Sequence, residues 1–179
     1  MTARFTARLL LVGALLIYCA LLTWFQMTAP DQVPAHFGAG GQASRWDSKN
    51  GFALLLTIVA AALSLLLTFL PQWLPRFPSA LVNVPNRRYW TRPENRSALR
   101  ELLEVDLSRI AALVILLLSW ILVMVNYAAQ HGGEASDPLL IGPSLGIVLV
   151  ILGYVVWLAG GKRYAIPADA AAGVSTQGK

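Results

Sequence analysis

The sequence predicts an all-α fold, an integral membrane bundle of four transmembrane helices with a short interfacial helix before the third and both termini cytoplasmic. Three observations predict it. Hydrophobic residues make up 56% of the chain and charged residues only 13%, where a soluble globular domain carries roughly 25% charged. Four windows, 9–27, 52–70, 110–129 and 139–159, contain no charged side chain, and at 1.5 Å of rise per residue each matches a hydrocarbon core of about 30 Å. Finally, Lys and Arg are divided unevenly between the segments that join these windows.

The first window, LLLVGALLIYCALLTWFQM, follows Arg4 and Arg8. Its apolar run exceeds the 7 to 15 residues of a signal peptide, and Met27-Thr28-Ala29 is a poor cleavage tripeptide, so an uncleaved helix is expected. Cys19 cannot form an intramolecular disulfide because it is the chain's one cysteine; among Leu and Ile it reads as a small buried hydrophobe.

Loop 1, residues 28–51, is the least apolar run in the first half. Pro30 and Pro34 bias the preceding residues toward extended backbone, and Val33, Ala35 and Phe37 alternate with Pro34, His36 and Gly38 as in a short strand. Gly38, Gly40 and Gly41 supply a turn, Arg45-Trp46 offers a cation beside an aromatic ring, and Ser48 or Asn50 caps the second helix. An ordered recognition surface is expected, formed by Asp31, Pro34, His36, Phe37, Gly41, Arg45 and Trp46. His36 reads chiefly as a hydrogen-bonding residue that orders the loop.

The second window, FALLLTIVAAALSLLLTFL, leads into loop 2, where Thr91-Arg92-Pro93-Glu94 has the spacing of a capping box. The helix after it places Leu99, Leu103, Leu107 and Ile110 on one face, so it is expected to lie along the interface before turning into the third span. The fourth span opens on Ser136-Asp137-Pro138, an N-cap followed by Pro at the first helical position. Within it Gly142 and Gly146 have the spacing that lets another helix approach. Trp24, Trp73 and Trp157 lie near span ends, as interface markers do. Residues 1–164 therefore form one transmembrane domain, and 165–179, rich in Ala and Gly, a disordered cytoplasmic tail.

Charge fixes the expected orientation. The N-terminus (Arg4, Arg8), loop 2 (Arg76, Arg87, Arg88, Arg92, Arg96, Arg100, Arg109) and the tail (Lys162, Arg163, Lys179) hold twelve basic residues, while loop 1 has Arg45 and Lys49 and loop 3, residues 130–138, none. Cationic loops are retained in the cytoplasm, so loop 1 faces out. The net charge of +5 is accounted for by the membrane surface, and nucleic-acid binding is disfavoured because Glu94, Glu101, Glu104 and Asp106 interleave with the loop 2 arginines.

Chemistry is sparse. None of the four windows holds an Asp, Glu, Lys, Arg or His, which disfavours a monomeric proton-coupled transporter; Thr57, Ser64, Thr68, Ser119, Asn126 and Tyr154 read as helix-packing residues. Orientation brings His36, His131, Asp31, Asp47, Glu134 and Asp137 to one face, yet their spacing does not demand a metal site. HExxH, a glycine-rich phosphate loop and a Cys pair are all missing from the sequence. No catalytic residue, metal or other cofactor is expected.

Pro30-Asp31, Pro34, His36-Phe37, Gly41, Arg45-Trp46 and Ser48-Lys49 resemble the pattern of a bacterial membrane family, domain of unknown function 1648 (DUF1648), over about residues 9–70. That domain also forms the N-terminal part of SdpI-type immunity proteins. In loop 2, Pro85, Asn86, Tyr89, Trp90, Pro93 and Arg96 are similar to a segment that follows in many such proteins and form the expected cytoplasmic interface. Gly38, Ser44 and Asp47 depart from the pattern.

The resemblance implies residence in the bacterial cytoplasmic (inner) membrane and, from the SdpI-type proteins, protection against a secreted peptide toxin with a repressor held at the membrane. The first expectation is therefore a sensing or immunity-type protein, binding a peptide or envelope component through loop 1 and a protein partner through loop 2, residues 75–109. The alternatives are an accessory subunit of a transporter or membrane complex, acting as a homo-oligomer or with a larger partner, and an outer-face metal-dependent enzyme.

Overall fold

A computed structural model describes residues 2–74, 77–135 and 138–168. Four helices in it are long and apolar enough to cross a membrane: α1 Ala3–Thr28, α2 Lys49–Trp73, α4 Arg96–Gln130 and α5 Pro138–Ala159, with one turn of helix, α3 Arg87–Trp90, between the second and third. The protein is a multi-pass membrane protein. A hairpin, β1 Gln32–Phe37 paired antiparallel with β2 Ala43–Ser48, joins α1 to α2. The expected cap at Ser136-Asp137, Arg76, and the tail beyond Ala168 with Lys179 lie outside the described residues.

α1 buries one stripe, Ala7, Leu11, Ala14, Tyr18 and Phe25, spaced in threes, fours and sevens so that the residues stack along a single face. It packs on α4, whose Ala111, Ala112, Ile115, Leu118, Leu122 and Val125 complete the core together with Ala53 and Ala60 of α2. Alanines at the contacts let backbones approach, which matters where lipid offers no hydrophobic drive between helices. Tyr18 donates a hydrogen bond to Thr57 Oγ1 at 3.1 Å, because the Thr57 hydroxyl is itself committed to the Ala53 carbonyl. Asn126, fully buried, donates to Thr28 Oγ1 at 2.7 Å and accepts from Gln130 at 2.9 Å. Thr57 and Asn126, two of the polar residues expected to serve packing, join helices here.

Four features differ from the sequence reading. The segment expected as a separate interfacial helix continues directly into the third span: α4 is one helix of 35 residues, since no Pro or Gly interrupts Arg96 to Gln130. At about 52 Å it exceeds the hydrocarbon thickness by roughly 20 Å. Thr91 does not cap it. Its hydroxyl donates to the Arg87 carbonyl, and Pro93–Asn95 forms a 3₁₀ turn before α4 begins. Cys19 is exposed, because α1 buries only its α4-facing stripe. Gly142 and Gly146 have no atom within 4 Å of the position a Cβ would take, so no described helix exploits their spacing; none of the apolar window of α5 is buried.

Candidate functional site

The two ends of the bundle carry different chemistry. At one end stands the hairpin. Ser48 caps α2 through Gly51 N–H, and Lys49 donates to the Gln26 and Ala29 carbonyls at 3.3 and 3.0 Å, satisfying groups that the last turn of α1 leaves open. The chain after α4 adds to the other edge: Ala43 N–H donates to the Gly133 carbonyl, and Ala135 N–H to the Gly41 carbonyl, at 2.8 and 2.9 Å. Gly133, at φ +84°, lies where a Cβ would meet Ala43 and Trp46 at 2.8 Å. Loops 1 and 3 thus form one backbone-bonded cap.

Within the cap the sequence-predicted residues take two roles. Pro34 is buried, beside Val33 on the bundle, and Gly41 provides the positive φ of 76° that the turn requires. The second strand was not foreseen, since Ser44-Arg45-Trp46 lacks apolar alternation and is exposed throughout. Asp31, His36, Arg45 and Trp46 are exposed and Phe37 half-buried. His36 Nδ1 lies 2.7 Å from Ser44 Oγ across the strands, and Arg45 pairs with Asp47 at 3.1 Å. His131 instead stacks on Tyr127 with ring centroids 3.9 Å apart and donates from Nδ1 to the Tyr127 carbonyl. No three His, Cys, Asp or Glu side chains converge as a metal site among the described residues.

The opposite end is arginine-rich and contains a centre that sequence reasoning missed. Asp106 of α4 is 1% exposed. Tyr154 and Tyr164 donate to its two carboxylate oxygens at 2.8 and 2.9 Å, Arg163 donates at 3.3 Å, and the Arg109 guanidinium stands 3.9 Å away while donating to the Tyr154 hydroxyl. A buried carboxylate is tolerable only when it is paired and hydrogen-bonded in this way. Burial, and next the Asp106 charge, raise the Tyr164 phenol above its ordinary range, so it remains a protonated donor. A sequence signal existed: Asp106 stands seven residues after Leu99, in register with the apolar face of α4.

The loop 2 residues predicted as an interface build the wall of this centre. Asn86, at φ 54°, donates from its amide to the Tyr164 carbonyl, and Trp90 Nε1 donates to the same oxygen, both at 2.9 Å. Trp90 meets Tyr89 and Tyr164 edge-on. Pro85 lies beside Gly161, which turns the chain out of α5 at φ +81°. Pro93 opens the 3₁₀ turn, and Arg96 Nε donates to the Thr91 carbonyl. Leu74, Val82, Leu99, Trp90 and Tyr164 form a small apolar core of their own here. Beside it Arg4, Arg8 and Arg100 surround Glu104, and Arg4 also reaches Glu101.

Comparison with known proteins bears on the first end. The family described as "Domain of unknown function (DUF1648)" matches residues 10–61, which are most of α1, the hairpin and the first half of α2. The Asp106 centre and loop 2 lie beyond the match. No curated protein and no solved structure matches the chain.

Proposed function

We propose that this chain, whose residues 10–61 match the DUF1648 family, is a non-catalytic, SdpI-like sensing or immunity-type protein of a bacterial inner membrane. Its hairpin faces outward and recognises a peptide or envelope component. Loop 2 and both termini face the cytoplasm, where a protein partner is engaged. The observation that carries this reading is the division of labour in the cap: His36, Arg45 and Trp46 project while Pro34, Lys49 and the Gly133 carbonyl tie its base to the bundle. Exposed aromatic, basic and imidazole groups on a rigid base are what recognition of a peptide uses.

α4 supplies the means of communication. Its C-terminal end runs into the Gly133–Ala135 segment that pairs with the hairpin, and its extension at the other end holds Asp106. A ligand that shifts the cap favours one position of α4, and the polar contacts of Asp106 with Arg163 and Tyr164 are the bistable element that a cytoplasmic partner reads. The test uses Trp46→Ala and His36→Ala at matched membrane levels. Loss of a ligand-dependent response, such as protection from a secreted peptide, supports the reading; an unaltered response in both variants removes the hairpin as recognition site.

The exposure of α5 favours a second reading, an accessory subunit whose Gly142–Gly146 face receives a helix of another copy or a larger complex. Sizing and crosslinking in mild detergent separate the two, since a strict monomer speaks against it.

A further inference from the structure

A groove of about 630 Å³ opens sideways between α1, α4 and α5, within the range of pockets that hold small ligands. Its walls are apolar, with Gly13 and Ile17 on α1, Leu116 on α4 and Val150 on α5; polar groups stand only at one end, Thr6, Arg109 and Tyr154. Along α1 the groove runs from Thr6 to Ile17, about 16 Å at 1.5 Å per residue. That equals the hydrocarbon depth of one leaflet, about 15 Å.

The polar end carries surplus positive charge. Across the adjoining ion-pair clusters, among the described residues, Arg4, Arg8, Arg100, Arg109 and Arg163 face only Glu101, Glu104 and Asp106. Arg109 is one-third exposed at the groove's mouth and gives one donor to Tyr154, so its guanidinium has donors left.

From length, direction and charge we propose that this groove is a binding site for one anionic phospholipid of the arginine-rich leaflet. One acyl chain lies against Gly13, Ile17, Leu116 and Val150, and the phosphate meets the Arg109 guanidinium. The site is independent of any outer ligand, and it places a lipid headgroup against the side chain that also faces Asp106. Lipid occupancy is thereby coupled to the set of the Asp106 centre.

Native mass spectrometry of delipidated full-length protein, titrated with phosphatidylglycerol or with phosphatidylcholine of the same acyl chains, tests this. One phosphatidylglycerol is expected to be retained at about tenfold lower lipid concentration than phosphatidylcholine. Arg109→Lys keeps that preference and Arg109→Gln removes it. Gly13 has open space where a Cβ would stand, so Gly13→Leu fills the groove without disturbing the helix and lowers retention of both lipids severalfold. Equal retention of the two lipids, no effect of Gly13→Leu, or a dimer in place of a lipid adduct that Gly13→Leu breaks, each overturns the proposal.

Discussion

Asp106 shows what one residue can do when its environment is specified by several segments at once. Its donors come from α5 and from the turn after α5, and a guanidinium of α4 itself stands nearby. Asp106→Ala leaves the Arg163 guanidinium and two phenols without their acceptor and Arg109 without its counter-charge, and is expected to cost about 3 kcal/mol, seen as a lowered Tm in detergent. Asp106→Asn, which keeps the shape and some acceptor capacity, should cost less. The raised Tyr164 phenol has a definite consequence for pH. Because the folded state holds this proton above the ordinary value of 10.0, its contribution is fully present below about pH 10 and declines as pH rises further. Tyr164→Phe should therefore lower Tm at neutral pH, by the loss of a hydrogen bond to a charged group worth about 2 kcal/mol, yet flatten the alkaline decline; parallel Tm-against-pH curves for variant and parent would refute the assignment. Asp106 stayed hidden in the sequence because it reads there as one of several loop acids among arginines. What buries it is a contact with residues about fifty positions away.

At the scale of elements, the four spans were legible because hydrocarbon thickness sets helix length and excludes charge, a constraint each window meets alone. Boundaries were harder to read. α1 begins six residues before its charge-free window, at Ala3, since Arg4 and Arg8 lie among the ion pairs with Glu101 and Glu104. The exposed second strand pairs with β1, and Gly133 and Ala135, some ninety residues on, bond its first residue and the turn before it. The cap therefore depends on Gly133 more than on any hairpin side chain. Gly133→Ala demands a strained φ and a Cβ inside Ala43 and Trp46, a cost of about 1–3 kcal/mol, and should release the hairpin. Faster hydrogen exchange at Ala43 and greater quenching of Trp46, with α1 to α4 packing unchanged, is the expected signature. Lys49→Met, which leaves the Gln26 and Ala29 carbonyls without their ammonium donor, should loosen the same cap by about 1 kcal/mol.

At the scale of the whole molecule, the proposed relay and the charge census make one joint demand, that the hairpin and the Asp106 centre lie on opposite faces of the bilayer with the hairpin outside. Contacts between the first turns of α1 and the start of α4, and between Thr28 and Asn126 near their far ends, align those helices in parallel, so hairpin and centre sit at opposite ends of the bundle. Which end faces the cytoplasm is set by the arginines, through the energetics of insertion. In a Cys19→Ser background, Ala39→Cys at the hairpin turn and Arg88→Cys in loop 2 both place a thiol on an exposed residue. A membrane-impermeant maleimide added to intact cells should label Ala39→Cys at once and Arg88→Cys only after permeabilisation. The reverse pattern would place the projecting Trp46 and Arg45 in the cytoplasm, where no secreted peptide reaches them, and would abolish the sensing proposal. The lipid groove would survive such a reversal, because its argument needs only the leaflet beside Arg109, and it would then lie in the outer one.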